Sequence, residues 1–139
     1  MGFLREVWRR AVSGDVLTDD ERAAATAEGL EVLAEGLPCT RRLRDFRAPG
    51  RRSVRRVTRT SGGVLLTRSR LVVWGAGERH VDVARTALPL AGLTATEPRP
   101  GVLLVSYDAA RLFPDRSGRV ELELRTPEAA RVVAAVTGG

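Results

Sequence analysis

The chain has 139 residues, 43% of them hydrophobic, which suits one domain with a single core and is too apolar for a disordered tail. No apolar run nears the roughly 18 residues of a membrane-spanning helix, and Arg5, Glu6, Arg9 and Arg10 interrupt any apolar stretch of a secretory signal. The formal net charge of +6 is concentrated: residues 37–70 hold 11 Arg against Asp45 alone, residues 1–36 hold 4 Arg against 8 acids, and residues 71–139 hold 8 of each.

Two further exclusions follow. Glu6 breaks the myristoylation pattern behind Met1-Gly2. Cys39 is the only cysteine, so no internal disulfide can form, and a reducing cytoplasm is expected. All 23 basic residues are Arg, while Lys, Ile, Asn and Gln are absent together. That pattern points to a GC-rich genome, so the choice of Arg over Lys says little about chemistry, and the position of the charge says more.

In chain order, residues 3–13 are expected to form a short amphipathic helix. Phe3, Leu4, Val7, Trp8, Ala11 and Val12 fall on one face at i, i+3, i+4 spacing. That face either packs on its own domain or meets a membrane or partner, with Phe3, Leu4 and Trp8 as the contact residues. Thr18-Asp19-Asp20-Glu21 is a capping box that opens a second helix, and Gly29 ends it. Residues 1–28 thus read as a helical lead-in, and 29–139 as the main domain.

Strand patterns follow at 30–34, 40–47, 52–60, 64–67, 71–74, 81–83, 101–107 and 119–125. The pair 40–47 and 52–60, joined across Ala48-Pro49-Gly50, alternates poorly: Leu43 and Phe46 fall on opposite faces, as do Val54 and Val57. His80 and Asp82 are placed outward. Residues 89–101, with Pro98 and Pro100, are expected to be loop. Val120, Leu122 and Leu124 alternate with Glu121 and Glu123. Thr126 caps a final helix, with Pro127 in its first turn and an apolar stripe of Ala129, Val132, Val133 and Val136. The expected fold is mainly β, a partly open barrel of about seven strands in two sheets, capped by a C-terminal helix.

The run Gly63-Val64-Leu65-Leu66-Thr67-Arg68-Ser69-Arg70-Leu71-Val72-Val73, preceded by Glu31-Val32-Leu33-Ala34 and followed by Leu88-Pro89-Leu90, resembles the bacterial pleckstrin-homology (PH/GRAM-like) family. The resemblance covers roughly residues 28–137 and departs from the family at 37–60. It implies a PH-like fold whose members bind phosphoinositides, peptides or proteins, or act as scaffolds, and it names no ligand. Thr67 and Arg70, the matching polar positions, are suited to a structural turn.

No catalytic constellation is visible, so a non-enzymatic domain without cofactor or metal is expected. One His and one Cys make no zinc site. Arg41 and Arg42 beside Cys39 favour a lowered thiol pKa, but no base stands ready for it. Gly62-Gly63 leads into a strand, unlike a phosphate-cradling loop. The segment that carries function, if one does, holds Arg41, Arg42, Arg44, Arg47, Arg51, Arg52, Arg55, Arg56 and Arg59. Three readings stay open: a solvated face that offsets the acidic helix at 18–28, a face for anionic lipid or an acidic protein, or a nucleic-acid surface. Nucleic acid is disfavoured, because Phe46 is the segment's sole aromatic and no DNA- or RNA-binding signature appears. The leading expectation is a binding module that docks weakly on anionic membrane. The alternative is a protein adaptor that uses the N-terminal helix or a sheet edge. Oligomeric state is not legible.

Overall fold

The computed structural model describes residues 17–138. The expected helix at 3–13, with Phe3, Leu4 and Trp8, lies outside the described residues. Helix α1 (Asp19–Ala27) begins at the capping box: Thr18 Oγ1 accepts from the Glu21 N–H at 3.0 Å, and Glu21 Oε1 accepts from the Thr18 N–H at 3.2 Å. The strands are β1 (Leu30–Ala48), β2 (Arg51–Thr67), β3 (Arg70–Gly75), β4 (Glu78–Ala84), β5 (Thr94–Arg99), β6 (Val102–Asp108) and β7 (Ser117–Arg125). Two single-turn helices, α2 (Leu88–Ala91) and α3 (Ala109–Leu112), punctuate them, and α4 (Ala129–Thr137) closes the chain.

All seven strands are antiparallel and form one sheet, in the order β4-β3-β2-β1-β7-β6-β5. The sequence pattern led to an expectation of two sheets. One sheet results because β1 and β2 run unbroken where the sequence suggested four short strands. The register of β1 on β2 shifts between Ala34 and Leu37, around Gly36 at φ +63°, so the strand kinks and continues. Opposite the kink, Gly62 and Gly63 leave room for the carbonyl and indole of Trp74. Beyond it, β2 pairs with β3 only from Gly62 to Leu66, while β7 joins the other limb of β1 from Cys39 onward. The sheet curls so that Leu124 and Leu122 of β7 lie where side chains on Gly62 and Gly75 would project.

The main core fills this curl, from Val32, Leu43 and Phe46 through Val64, Leu66, Leu71 and Val73 to Leu103, Val105, Leu122 and Leu124. Helix α4 contributes Ala129, Val132 and Ala135. Val133 and Val136, expected in its buried stripe, are only partly covered. On the opposite face of β2 and β3, Leu65, Val72 and Trp74 pack with Leu17 and Ala25. With both faces covered, residues 64–66 and 71–74 are apolar without alternation. The turn between these strands is structural, as expected: Thr67 Oγ1 accepts from the Ser69 and Arg70 N–H groups at 3.2 and 3.1 Å, and Arg70 Nε sits 3.3 Å from Glu28.

Two expectations are corrected. Residues 94–99 are strand, because an edge strand tolerates proline where no ladder donor is needed. Pro98 falls in the register shift between Thr96 and Arg99. Leu43 and Phe46 are both buried, because Asp45 adopts φ +50° inside a register shift of β1 on β7 and reverses the alternation. Val54 and Val57 stay out of the core, 70% and 52% exposed.

Gly118, at φ +101°, lies against the Asp45 carbonyl, where a side chain would overlap backbone. Gly118→Ala is therefore expected to cost about 2–3 kcal/mol, from the left-handed conformation and the clash together. Gly50→Ala, at φ +70° with open space around it, should cost about 1 kcal/mol from conformation alone. Urea midpoints of the two variants test this, and equal losses would refute the clash.

Candidate anion-binding face

Directly opposed residues in an antiparallel pair share a face. On β1, Cys39, Arg41 and Leu43 are buried, which turns Thr40, Arg42 and Arg44 outward. Arg44 stands opposite Arg55 on β2 and opposite Arg119 on β7, and Arg119 stands opposite Asp108 on β6. One row across four strands is thus Arg55, Arg44, Arg119, Asp108. The neighbouring row is Arg52, Arg47, Ser117. Arg44, Arg47, Arg52, Arg55 and Arg119 are all exposed, and among the described residues none of the five has a carboxylate partner. The Asp108 carboxylate instead accepts from the Ala110 N–H at 3.0 Å and caps α3.

Like charges set opposite one another on paired strands work against the sheet. The Arg55–Arg44–Arg119 row is therefore held by the core beneath it and is left electrostatically unsatisfied. An anionic surface laid on this face would relieve the repulsion. At the flank the charge is balanced: Arg42 lies 3.4 Å from Glu123, which also faces Arg99 at 3.8 Å.

The structure divides the arginines that the sequence grouped. Arg44, Arg47, Arg52 and Arg55 share the face. Arg59 belongs to its margin, opposite Thr40. Arg56 stands opposite the inward Leu43 and is exposed on the other side. Arg51 stacks on Phe46 at 5.5 Å and binds Glu78. Arg41 is not a surface residue: it is 5% exposed, with Nη1 2.5 Å from Glu78 Oε2. Alternation between Cys39 and Leu43 forces it inward. Arg119 carries no signal in the sequence, because it lies outside the Arg-rich segment 41–59. Only strand pairing places it beside Arg44. Phe46 is buried, which removes the segment's one stacking aromatic from the surface.

His80 is corrected from outward to inward. The β3–β4 register shifts between Val73 and Trp74, so His80 is an extra, unpaired residue, and both it and Val81 are buried. Its Nδ1 lies 2.9 Å from the Tyr107 hydroxyl. Cys39 is also corrected: burial pushes its thiol up to about 11, outweighing the lowering by Arg41. Among the described residues no group of three His, Cys, Asp or Glu side chains is placed to hold a metal, and no helix is long and apolar enough to cross a membrane.

Several depressions mark the surface of the described residues. One of about 510 Å³ is lined by Arg68, Arg85, Thr86 and Pro89. One of about 120 Å³ lies among Arg79, His80, Asp82, Val83, Leu112 and Phe113. Neither gathers a nucleophile with a base. The class defined by this geometry is a mainly β domain of seven antiparallel strands with a cationic outer face. Neither a protein-family model nor a curated protein matches the chain.

Proposed function

We propose that this protein is a non-catalytic binding module of PH-like type, a partly open barrel that docks weakly on anionic membrane at the cytoplasmic leaflet. One observation carries the reading: Arg44, Arg47, Arg52, Arg55 and Arg119 share an exposed face and have no carboxylate partner among the described residues. A basic side chain near an anionic leaflet contributes about 1 kcal/mol. Five together give about 5 kcal/mol, a reversible sub-millimolar affinity that salt weakens.

Co-sedimentation with vesicles of neutral and of anionic lipid tests this at low and high salt. The wild type is expected to bind anionic vesicles only, and to release as salt rises. Arg44→Ser/Arg52→Ser/Arg55→Ser/Arg119→Ser should lose about 4 kcal/mol and fall to background. Binding to neutral vesicles, or full binding by the variant, would reject the face as the docking surface.

A further inference from the structure

We propose that the free edge of β2 over residues 51–60 takes up an extended acidic peptide segment as an eighth strand. The inference uses the edge of the sheet and its backbone, and so stands apart from the membrane reading, which uses the outer face.

Strand β2 pairs with β3 only between Gly62 and Leu66. Over residues 51–60 its sole partner among the described residues is β1. Alternate N–H and C=O groups along that stretch therefore point away from the sheet, with no ladder to receive them. The edge is long. The β1–β2 register is constant from Leu37↔Gly62 to Ala48↔Arg51, and the segment contains no proline. Val54, Val57, Thr58 and Thr60 give it β-branched side chains. Val54 and Val57 are the two most exposed large apolar residues among those described.

Charge decides the occupant. An edge this long invites a second copy, but antiparallel self-pairing opposes residues of the same face: centring on Arg55 or Arg56 sets that residue against its own copy, and centring on Val57 sets Arg55 against Arg59. Like charges directly opposite are destabilising, and charged edges are how sheets refuse such pairing. A strand bearing carboxylates meets the reverse situation. Arg55, Val57 and Arg59 share the outer face, so the complementary strand reads acid, apolar, acid at alternate positions. Arg56, on the other face, adds a third acidic position. Main-chain bonds supply the addition, and the arginine pattern supplies the selection.

The probe is a blocked hexapeptide, ETVEEV, whose residues fall in antiparallel order opposite residues 59 to 54. It is titrated into the wild-type protein and followed by amide NMR and hydrogen exchange. Saturable binding is expected, with alternate amides of 51–60 protected by about tenfold or more. The same peptide N-methylated at alternate residues keeps its charge and loses the ladder, so its affinity should fall by about tenfold or more. KTVKKV should not bind the wild type, and should bind Arg55→Glu/Arg59→Glu in preference to ETVEEV. An N-methylated peptide that binds within about twofold of the parent, or protection confined to other strands, overturns the proposal. Anionic vesicles that bind while the peptide does not would sink the strand addition and leave the membrane face standing. The converse result would sink the membrane face and support the edge.

Discussion

Glu78→Ala is expected to lower folding stability by about 3 kcal/mol, far more than a half-exposed carboxylate ordinarily costs. The carboxylate joins two guanidinium groups from neighbouring strands to β4. Arg41 Nη1 lies 2.5 Å from Oε2, and Arg51 Nη1 lies 2.5 Å from Oε1. The Arg41 side chain is 6% exposed, and its Nε has no hydrogen-bond partner among the described residues. Truncating Glu78 leaves that charge buried, unpaired and beside a second arginine. Breaking a buried pair from one side costs about 3–5 kcal/mol. The Glu78 side chain is 35% exposed, so water can replace part of what is lost, and the lower end applies. Arg41→Met reverses the asymmetry. Glu78 then keeps Arg51 and its solvent contact, and a loss of about 1 kcal/mol is expected. Urea unfolding of both variants, with unchanged m-values, gives the comparison. A Glu78→Ala loss under about 1 kcal/mol would mean that Arg41 finds another partner or reaches water.

Acidification from pH 7 to pH 4 is expected to remove about 3 kcal/mol of stability, and His80→Gln to remove most of that dependence. Burial lowers the His80 pKa from 6.5 to about 4, with Arg41 adding to the lowering and Glu78 partly opposing it. The folded protein therefore binds fewer protons at this site than the unfolded chain between pH 6.5 and about 4. Stability rises with pH through that window and is lost as pH falls through it. The Glu78 carboxyl behaves differently. Burial raises its pKa, but the hydrogen bond and charge of Arg51, then His80 and Arg41, hold it below 4.5. Its contribution is lost only as pH falls below 4.5 toward the folded value. The interval from 6.5 to 4.5 belongs to His80, the only histidine in the chain. Glutamine can keep a hydrogen bond to Tyr107 without titrating, so His80→Gln should give a nearly flat profile there whatever its absolute stability. A flat wild-type profile between pH 6.5 and 4.5 would show that the ring is hydrated and free to charge.

The two predictions share one cluster, and only part of it was legible beforehand. Glu78 and His80 carry no sequence signal, since strict alternation of residues 80–83 sends His80 outward. One unpaired residue in the β3–β4 ladder reverses that. Bulges depend on the partner strand, and a single strand's pattern does not contain them.

What the sequence determined by itself is local or additive. Thr18 and Glu21 define a helix start because the capping box needs only four residues. Val120, Leu122 and Leu124 turn inward because alternation along one strand is enough. Thr67 and Arg70 are placed by a short turn. The concentration of positive charge in residues 37–70 is a count, independent of conformation. Tertiary structure decided everything that depends on two strands at once. The kink at Gly36 against Gly62 and Gly63 makes four apparent strands into two long ones. The positive φ of Asp45 buries Phe46 beside Leu43. Register puts Arg119 in line with Arg44 and Arg55 and leaves Arg51 to Glu78. The physical reason is common to all three. Alternation encodes which side of its own strand a residue occupies, whereas a cross-strand neighbour is chosen by long-range pairing and by backbone angles at one or two residues.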